Sequence, residues 1–297
     1  MKKIGFIGLG NMGTGMVRNI LKNLRPNDTL NVYTRTKSKI DSMVEEGANG
    51  CYSLEEITNS SDIILTCLPN VETCRDLFLG KKGIINHANS NQILVDHSTV
   101  DMKTSQDCSN IASKKNIPFL DAPISGGPTG AADGTLTIMI GGDQIAFEKS
   151  NPVFQMMGAK ISHMGKSGAG TAMKLVNQLL VSANTVAAAE AFVLAEKAGV
   201  DLNSAIDILS TSWGKSQMIE RNGPITVEKN FENSAAPLRN LIKDLNIIEE
   251  LRLQLGLELP VTQASSQVAN HTNDMGLVEP DIAATALTIK KLSSIEE

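Results

Sequence analysis

Lys174, Asn177 and Gln178 stand at i, i+3 and i+4 in an otherwise apolar stretch. On a helix they share one face. An amine and two amides on a buried helix are costly unless paired or used. Partial desolvation lowers the pKa of a lysine and suits it to exchange protons near neutral pH. This trio therefore predicts a general acid/base at Lys174. Upstream lies Asp121-Ala122-Pro123-Ile124-Ser125-Gly126-Gly127. Two glycines after a serine expose backbone N–H groups as an anion-binding nest, so Ser125, Gly126 and Gly127 are candidates to hold a carboxylate.

These residues need a scaffold, and the first fifteen residues name its type. The short apolar run Lys2-Lys3-Ile4-Gly5-Phe6-Ile7 leads into Gly8-Leu9-Gly10-Asn11-Met12-Gly13, followed by the helical pattern Met16, Val17, Ile20, Leu21, Leu24. This is G-x-G-x-x-G between a strand and a helix. Gly8 serves the tight turn, Gly10 the close approach of a pyrophosphate, and Gly13 the packing of helix on sheet. The pyrophosphate would rest on the N–H groups at the helix N-terminus. A bound dinucleotide follows as the expectation. The second candidate strand ends Val32-Tyr33-Thr34-Arg35-Thr36-Lys37 with no acid at its tip. Arg35 can clamp a 2′-phosphate bidentately and Thr36 can donate to it, so NADP is expected over NAD.

Further strands are expected at Ile4–Ile7, Leu30–Thr34, Ile63–Cys67, Ile93–Asp96 and Pro118–Asp121. Helices are expected at Gly10–Leu24, Ser38–Glu46, Val71–Leu79 and Met102–Lys115. This βαβ rhythm predicts a parallel, doubly wound sheet of the Rossmann type. Leu136–Ile140 and Lys160–Met164, around a helix Asp143–Met157, would extend it. Residues 172–198 contain no Pro or Gly and are rich in Ala, Leu and Val. They read as the central buried helix of a second, all-α domain, with further helices at Leu202–Ser210, Arg239–Leu255, Pro260–Asn273 and Ile282–Ser293. The expected division is residues 1–165 for dinucleotide binding and 166–297 for substrate binding and oligomerisation, joined through the long helix.

Composition narrows the function classes. The chain has 297 residues and a net charge of −5, with no basic block that would suggest nucleic acid or an anionic membrane. No uninterrupted apolar run approaches the roughly 20 residues of a membrane span. Cys51, Cys67, Cys74 and Cys108 lack C-x-x-C spacing and read as reduced thiols of a cytoplasmic protein. The chain enters a strand at once, so no signal peptide is expected. His87, His97, His163 and His271 are scattered without ligand spacing, so no metal is expected. Gly165-Lys166-Ser167 looks like the tail of a P-loop, but Lys160 occupies the position where that motif needs glycine.

Taken together, the glycine fingerprint, Asp121–Gly127, Gly168–Gln178 and Lys243-Asp244-Leu245 resemble the β-hydroxyacid dehydrogenases. That family includes 3-hydroxyisobutyrate dehydrogenase, tartronate semialdehyde reductase and the glyoxylate/succinic semialdehyde reductases, and the resemblance spans essentially the whole chain. It implies hydride transfer between a nicotinamide and a small β-hydroxy acid or its semialdehyde. Lys174 would be the general acid/base, Asn177 would orient the substrate, and Ser125–Gly127 would hold its carboxylate. Leu68-Pro69 would lie along the cofactor, Thr99 beside the nicotinamide, and Lys243 would reach the cofactor from the helical domain. Gln178 stands where many relatives have a second asparagine, which places it at the substrate. Thr34-Arg35-Thr36 is similar to the NADP-using reductases. The segment around Trp213, with Arg221-Asn222-Gly223-Pro224, is similar to members proposed to act on polyhydroxylated acids. Trp213 is therefore expected at the substrate or packed between helices. Family members tend toward dimers and tetramers, so a homodimer or homotetramer is expected. The alternatives are an NADPH-dependent glyoxylate, succinic semialdehyde or sugar-acid reductase and, in another class, a non-catalytic dinucleotide-binding adaptor, a reading the presence of Lys174 argues against.

Overall fold

The computed structural model describes residues 2–232 and 234–294. The chain divides into two compact units, Met1–Lys174 and Leu175–Glu297.

The first unit runs β1 (Lys3–Ile7), α1 (Asn11–Asn23), β2 (Thr29–Tyr33), α2 (Lys37–Glu45), β3 (Asn49–Gly50), α3 (Leu54–Asn59), β4 (Ile63–Thr66), α4 (Val71–Leu79), α5 (Ile84–His87) and β5 (Ile93–Asp96). It continues with α6 (Met102–Ser113), β6 (Phe119–Asp121), β7 (Ile124–Ser125), α7 (Gly127–Asp133), β8 (Leu136–Gly142), α8 (Gln144–Phe154) and β9 (Gly158–Gly165). One sheet has the order β3-β2-β1-β4-β5-β6-β8-β7, with β9 beside β8. The strands from β1 to β6 are mutually parallel, whereas β8 pairs antiparallel with both β6 and β7. The expected doubly wound sheet is present, with a mixed edge added.

Successive side chains of a strand point to opposite faces, and the core divides accordingly. Ile4 and Phe6, Ile63 and Leu65, and Ile93 and Val95 join Met16, Val17 and Ile20 of α1 and Val153 and Phe154 of α8. Ile7, Ile64 and Leu94 face the other way, against Ile57 of α3, Leu77 and Phe78 of α4, and Cys108 and Ala112 of α6. With both faces covered, consecutive residues of a strand are apolar, as in Ile63, Ile64 and Leu65 of β4 and Ile93, Leu94 and Val95 of β5, the pattern expected of a parallel sheet.

Most expected boundaries differ by the width of a cap. Asp143 accepts from Ala146 N, so it stands before its helix rather than in it, while Asp101 accepts from Thr104 N and caps α6 at the expected start, Met102. The two-residue strands β3 and β7 and the short helices α3, α5 and α7 give too little periodicity to be seen in sequence.

Helix α9 (Ala169–Lys197) leaves the first unit and enters the second. The second unit then contains α10 (Leu202–Thr211), α11 (Gln217–Glu228), α12 (Leu238–Leu255), α13 (Pro260–Asp274), a 3-10 turn at Ile282–Ala284 and α14 (Thr285–Leu292). Sequence reading missed α11 because Gly223 and Pro224 look like breakers. A Cβ at Gly223 would come within 2.7 Å of Ile206, so the glycine lets α10 and α11 pack. Arg221 forms a bidentate pair with buried Asp281. The stretch Arg221–Pro224 therefore has a packing role in this unit.

By length and composition α9 could cross a membrane. Sequence reading overlooked this because polar residues interrupt its apolar runs. Nor is it a fully buried central helix. Phe192, Ala188 and Val186 are buried, while Val176, Leu180 and Leu194 are 51%, 53% and 71% exposed and lie along one stripe.

Candidate functional site

The dinucleotide fingerprint folds as its glycines demand. Gly8 has φ +106°, and a Cβ there would lie 2.3 Å from Cys67 O. A Cβ at Gly13 would lie 1.9 Å from Gly8 O, so only glycine lets α1 start against β1. A Cβ at Gly10 would instead enter open space. No side chain caps the N-terminus of α1, and no acid stands in its first turn. Free amides, open space over Gly10 and a favourable dipole fit a pyrophosphate. Leu9 is buried, whereas Asn11 is exposed on the rim of this loop and Met12 packs partly against the core.

Arg35 and Thr36 are exposed at the junction of β2 and α2. The Thr36 hydroxyl is not used to cap α2. Sequence reading missed Lys39, whose Nζ donates to Leu9 O at 3.2 Å and so sets a second cation, beside Arg35, against the glycine loop.

Leu68-Pro69 and Thr99 follow β4 and β5, at the carboxyl ends of parallel strands where ligands of such folds sit. A buried carboxylate ties the two loops. Asp96 Oδ1 accepts from Thr66 Oγ1 at 2.7 Å, Ser98 N at 3.0 Å and Ser98 Oγ at 2.5 Å, and Ser98 Oγ accepts from Leu68 N at 2.9 Å. Burial raises the pKa of Asp96 above the usual carboxylate range, against the pull of these donors. Next to it, His97 is buried against Phe154, with Nδ1 2.6 Å from Ala122 O. Burial pushes its pKa down to about 4, so the ring is neutral at physiological pH.

Ser125 is half-buried in β7, and Gly126 and Gly127 are exposed with φ +133° and +63°. Two successive positive φ angles need glycine at both positions. Helix α7, which follows, is docked on α1: Asn19 Nδ2 donates to Ala131 O at 2.7 Å and Ala132 O at 2.9 Å. Gly15 makes room for that contact, since a Cβ there would lie 2.8 Å from the Ala131 backbone.

Asp121 opens the same segment and has a role that sequence reading did not assign. Its Oδ1 accepts from Gly168 N at 2.7 Å and its Oδ2 from Thr171 N at 2.8 Å. One buried carboxylate thus caps the start of α9, three residues before Lys174. Burial raises the pKa of Asp121, opposed by the two backbone donors. Ser105 Oγ lies 2.8 Å from Thr171 Oγ1, and Gly170 has no room for a Cβ against Met139 O at 2.3 Å. The turn that carries Lys174 is held on β6 and β8, and Lys174 itself is 7% exposed.

In the second unit, Asn177 Nδ2 donates to Gln178 Oε1 at 3.0 Å, and Gln178 Nε2 donates to Asp244 Oδ2 at 2.5 Å. Lys243 Nζ lies 3.1 Å from Asp244 Oδ1. Three expected residues, Asn177, Gln178 and Lys243, are therefore brought together by a fourth, Asp244. Gln178 uses both ends of its amide within the protein. Trp213 is fully exposed just beyond α10 and packs between no helices of this unit. Among the described residues no group of three His, Cys, Asp or Glu is placed to hold a metal ion, and no disulfide joins the four cysteines.

Comparison with known proteins agrees with this geometry. Residues 3–165 match the NAD binding domain of 6-phosphogluconate dehydrogenase, and residues 168–288 the NAD-binding region of NADP-dependent 3-hydroxyisobutyrate dehydrogenase. The chain is 33% identical over 295 residues to 2-(hydroxymethyl)glutarate dehydrogenase of Eubacterium barkeri, covering 99% of this chain and 96% of that one. It is 32% identical over 293 residues to the chloroplastic glyoxylate/succinic semialdehyde reductase 2 of Arabidopsis thaliana, covering 99% and 81%. The structure of Mycobacterium tuberculosis 3-hydroxyisobutyrate dehydrogenase with L-serine superposes with a TM-score of 0.87 at 26% identity, over 98% of this chain and 99% of that one. The chain belongs to the β-hydroxyacid dehydrogenase family and is an NAD(P)-dependent oxidoreductase of the 3-hydroxyisobutyrate dehydrogenase and semialdehyde reductase type.

Proposed function

We propose that the protein interconverts a small β-hydroxy acid and its semialdehyde, with NADP preferred, and that Lys174 handles the proton. The observation that carries this reading is the Asp121 clamp. The segment that ends in the Ser125–Gly127 nest begins with the carboxylate that fixes the helical turn before Lys174. An anion-binding loop and a buried amine thus share one rigid anchor, and such positioning is worth a large part of a rate enhancement.

When bound, a nicotinamide would supply or accept the hydride at the carbinol carbon. Ser125, Gly126 and Gly127 hold the substrate carboxylate through hydroxyl and backbone N–H donors. In reduction the Lys174 ammonium donates its proton to the carbonyl oxygen as that oxygen becomes a hydroxyl, and in oxidation the amine takes the proton back. Asn177, one turn further along α9, would orient the substrate; Leu68, Pro69 and Thr99 would line the cofactor, and the family resemblance assigns Lys243 to it as well. Arg35, Thr36 and Lys39 favour a 2′-phosphate through two cations and a free hydroxyl. The relatives' names support a small-acid substrate, since one acts on 2-(hydroxymethyl)glutarate, another on glyoxylate and succinic semialdehyde, and a third holds L-serine.

The exposed stripe Val176, Leu180, Leu194 supports self-association, with a second copy covering it. Light scattering should then report a multiple of 31.7 kDa that falls in a Leu180→Lys, Leu194→Lys variant.

The test of the reaction is a steady-state panel. Glyoxylate and succinic, methylmalonate and tartronate semialdehydes are offered with NADPH and NADH; 3-hydroxyisobutyrate, serine and threonate are offered with NADP⁺ and NAD⁺. Turnover of one acid with KM for NADPH about tenfold or more below that for NADH is expected. An equal or reversed preference would remove the phosphate clamp, and no turnover of any acid would remove the reaction.

A further inference from the structure

The hydrogen bonds around Gln178 have a fixed direction. Asp244 is 5% exposed, with Lys243 Nζ 3.1 Å from one carboxylate oxygen and Gln178 Nε2 2.5 Å from the other. A carboxylate oxygen only accepts, so the amide that meets it must present its NH2 and turn its carbonyl oxygen away. That oxygen can only accept in turn, and it takes a proton from Asn177 Nδ2 at 3.0 Å. The Asn177 amide is then no longer free to flip. Its nitrogen is committed to Gln178, and Oδ1 is set as the acceptor at the opposite end of the group.

We propose that Gln178 is a positioning residue rather than a substrate contact: it transmits the polarity of the Asp244 carboxylate to Asn177 and so fixes which end of that amide is offered to the substrate. The same carboxylate holds Lys243, so the amide at the substrate and the lysine assigned to the cofactor share one anchor. The proposal rests on the reading that Asn177 orients the substrate. A glutamine is needed for this geometry. An asparagine at 178 is one methylene shorter, and a glutamate would meet Asp244 as acceptor against acceptor.

Two measurements test it. In a double-mutant cycle, Gln178→Ala lowers kcat about 10–100-fold with little change in KM for NADPH, the usual effect of a misplaced group. In an Asn177→Ala background the same change costs roughly twofold or less, because the amide that Gln178 orients is gone. Effects that multiply independently would overturn the proposal and place Gln178 on the substrate. The second measurement needs no turnover: the side-chain amide protons of Asn177 and Gln178 in 15N-labelled protein. Both pairs should be protected from exchange in the natural chain and lose protection in Asp244→Asn with the backbone spectrum preserved. Free exchange in the natural chain would overturn the network itself, whereas failure of every acid to turn over, with protection intact, would count only against the reaction assigned above.

Discussion

The two units hold their site residues by different means. In the first, buried carboxylates bind backbone: Asp96 takes Ser98 N, and Asp121 takes Gly168 N and Thr171 N. Gly8, Gly13, Gly15 and Gly170 then let the held segments approach closer than any side chain would allow. In the second, the buried carboxylate of Asp244 binds side chains, Gln178 Nε2 and Lys243 Nζ. Backbone held at both ends of a turn fixes where a loop runs. A side chain held by another side chain fixes only how that group is oriented. The first arrangement suits a phosphate or carboxylate cradle; the second suits fine adjustment of the amide proposed above to orient the substrate.

The largest effect expected is on the chemistry. Lys174→Ala should lower kcat by roughly 10²–10⁴-fold, the usual worth of general acid/base catalysis, with NADPH affinity by fluorescence titration unchanged. A parallel loss of affinity would mean that the first unit's anchors depend on the lysine.

The glycines sharpen the contrast next. Gly13→Ala should prevent soluble folding or lower Tm steeply, since its Cβ would lie 1.9 Å from Gly8 O. A Cβ at Gly10 meets no neighbour, so Gly10→Ala should leave Tm near the natural value while weakening NADPH binding by roughly tenfold or more. Equal stability losses in both variants would show that the loop is not shaped for a ligand.

His97 gives a signature of the first unit alone. Its folded pKa of about 4 lies below the ordinary value of 6.5. The unfolded chain therefore binds the extra proton first, and stability present above pH 6.5 is lost as pH falls toward 4, by up to about 3 kcal/mol. In His97→Asn the Tm-against-pH slope across that window should flatten; an unchanged slope would assign the loss to other groups.

The smallest effect is expected at Asp121. Asn in its place accepts one of the two N–H groups and turns its own NH2 toward the other, so about 1–2 kcal/mol of capping is lost. Tm should fall by a few degrees and kcat by more than KM; a change in KM alone would detach the clamp from the placement of Lys174.

The same contrast explains what the sequence disclosed. Backbone-held elements leave local signatures: the glycine fingerprint, Asp121–Gly127 and Gly168–Lys174 each lie within a dozen residues and were readable. Their anchors were less so, because the partner of Asp121 is 47 residues away and that of Asn19 more than 100. In the second unit, Gln178 and Asp244 are 66 residues apart with no shared motif, so Gln178 read as a substrate contact. Trp213 read as a site or packing residue because tryptophan is rarely left exposed, yet nothing in its own unit covers it. The breakers in α11 hid a helix whose glycine is required by packing against Ile206.

The central claim is that a buried amine on α9 carries the proton of a hydride-transfer reaction. It is tested most directly by chemical rescue of Lys174→Ala: single-turnover oxidation of pre-bound NADPH by the best semialdehyde, with and without added methylamine. The account predicts a rate depressed by two orders of magnitude or more that recovers in part, in proportion to the free amine. A rate near that of the natural chain before any amine is added would contradict it.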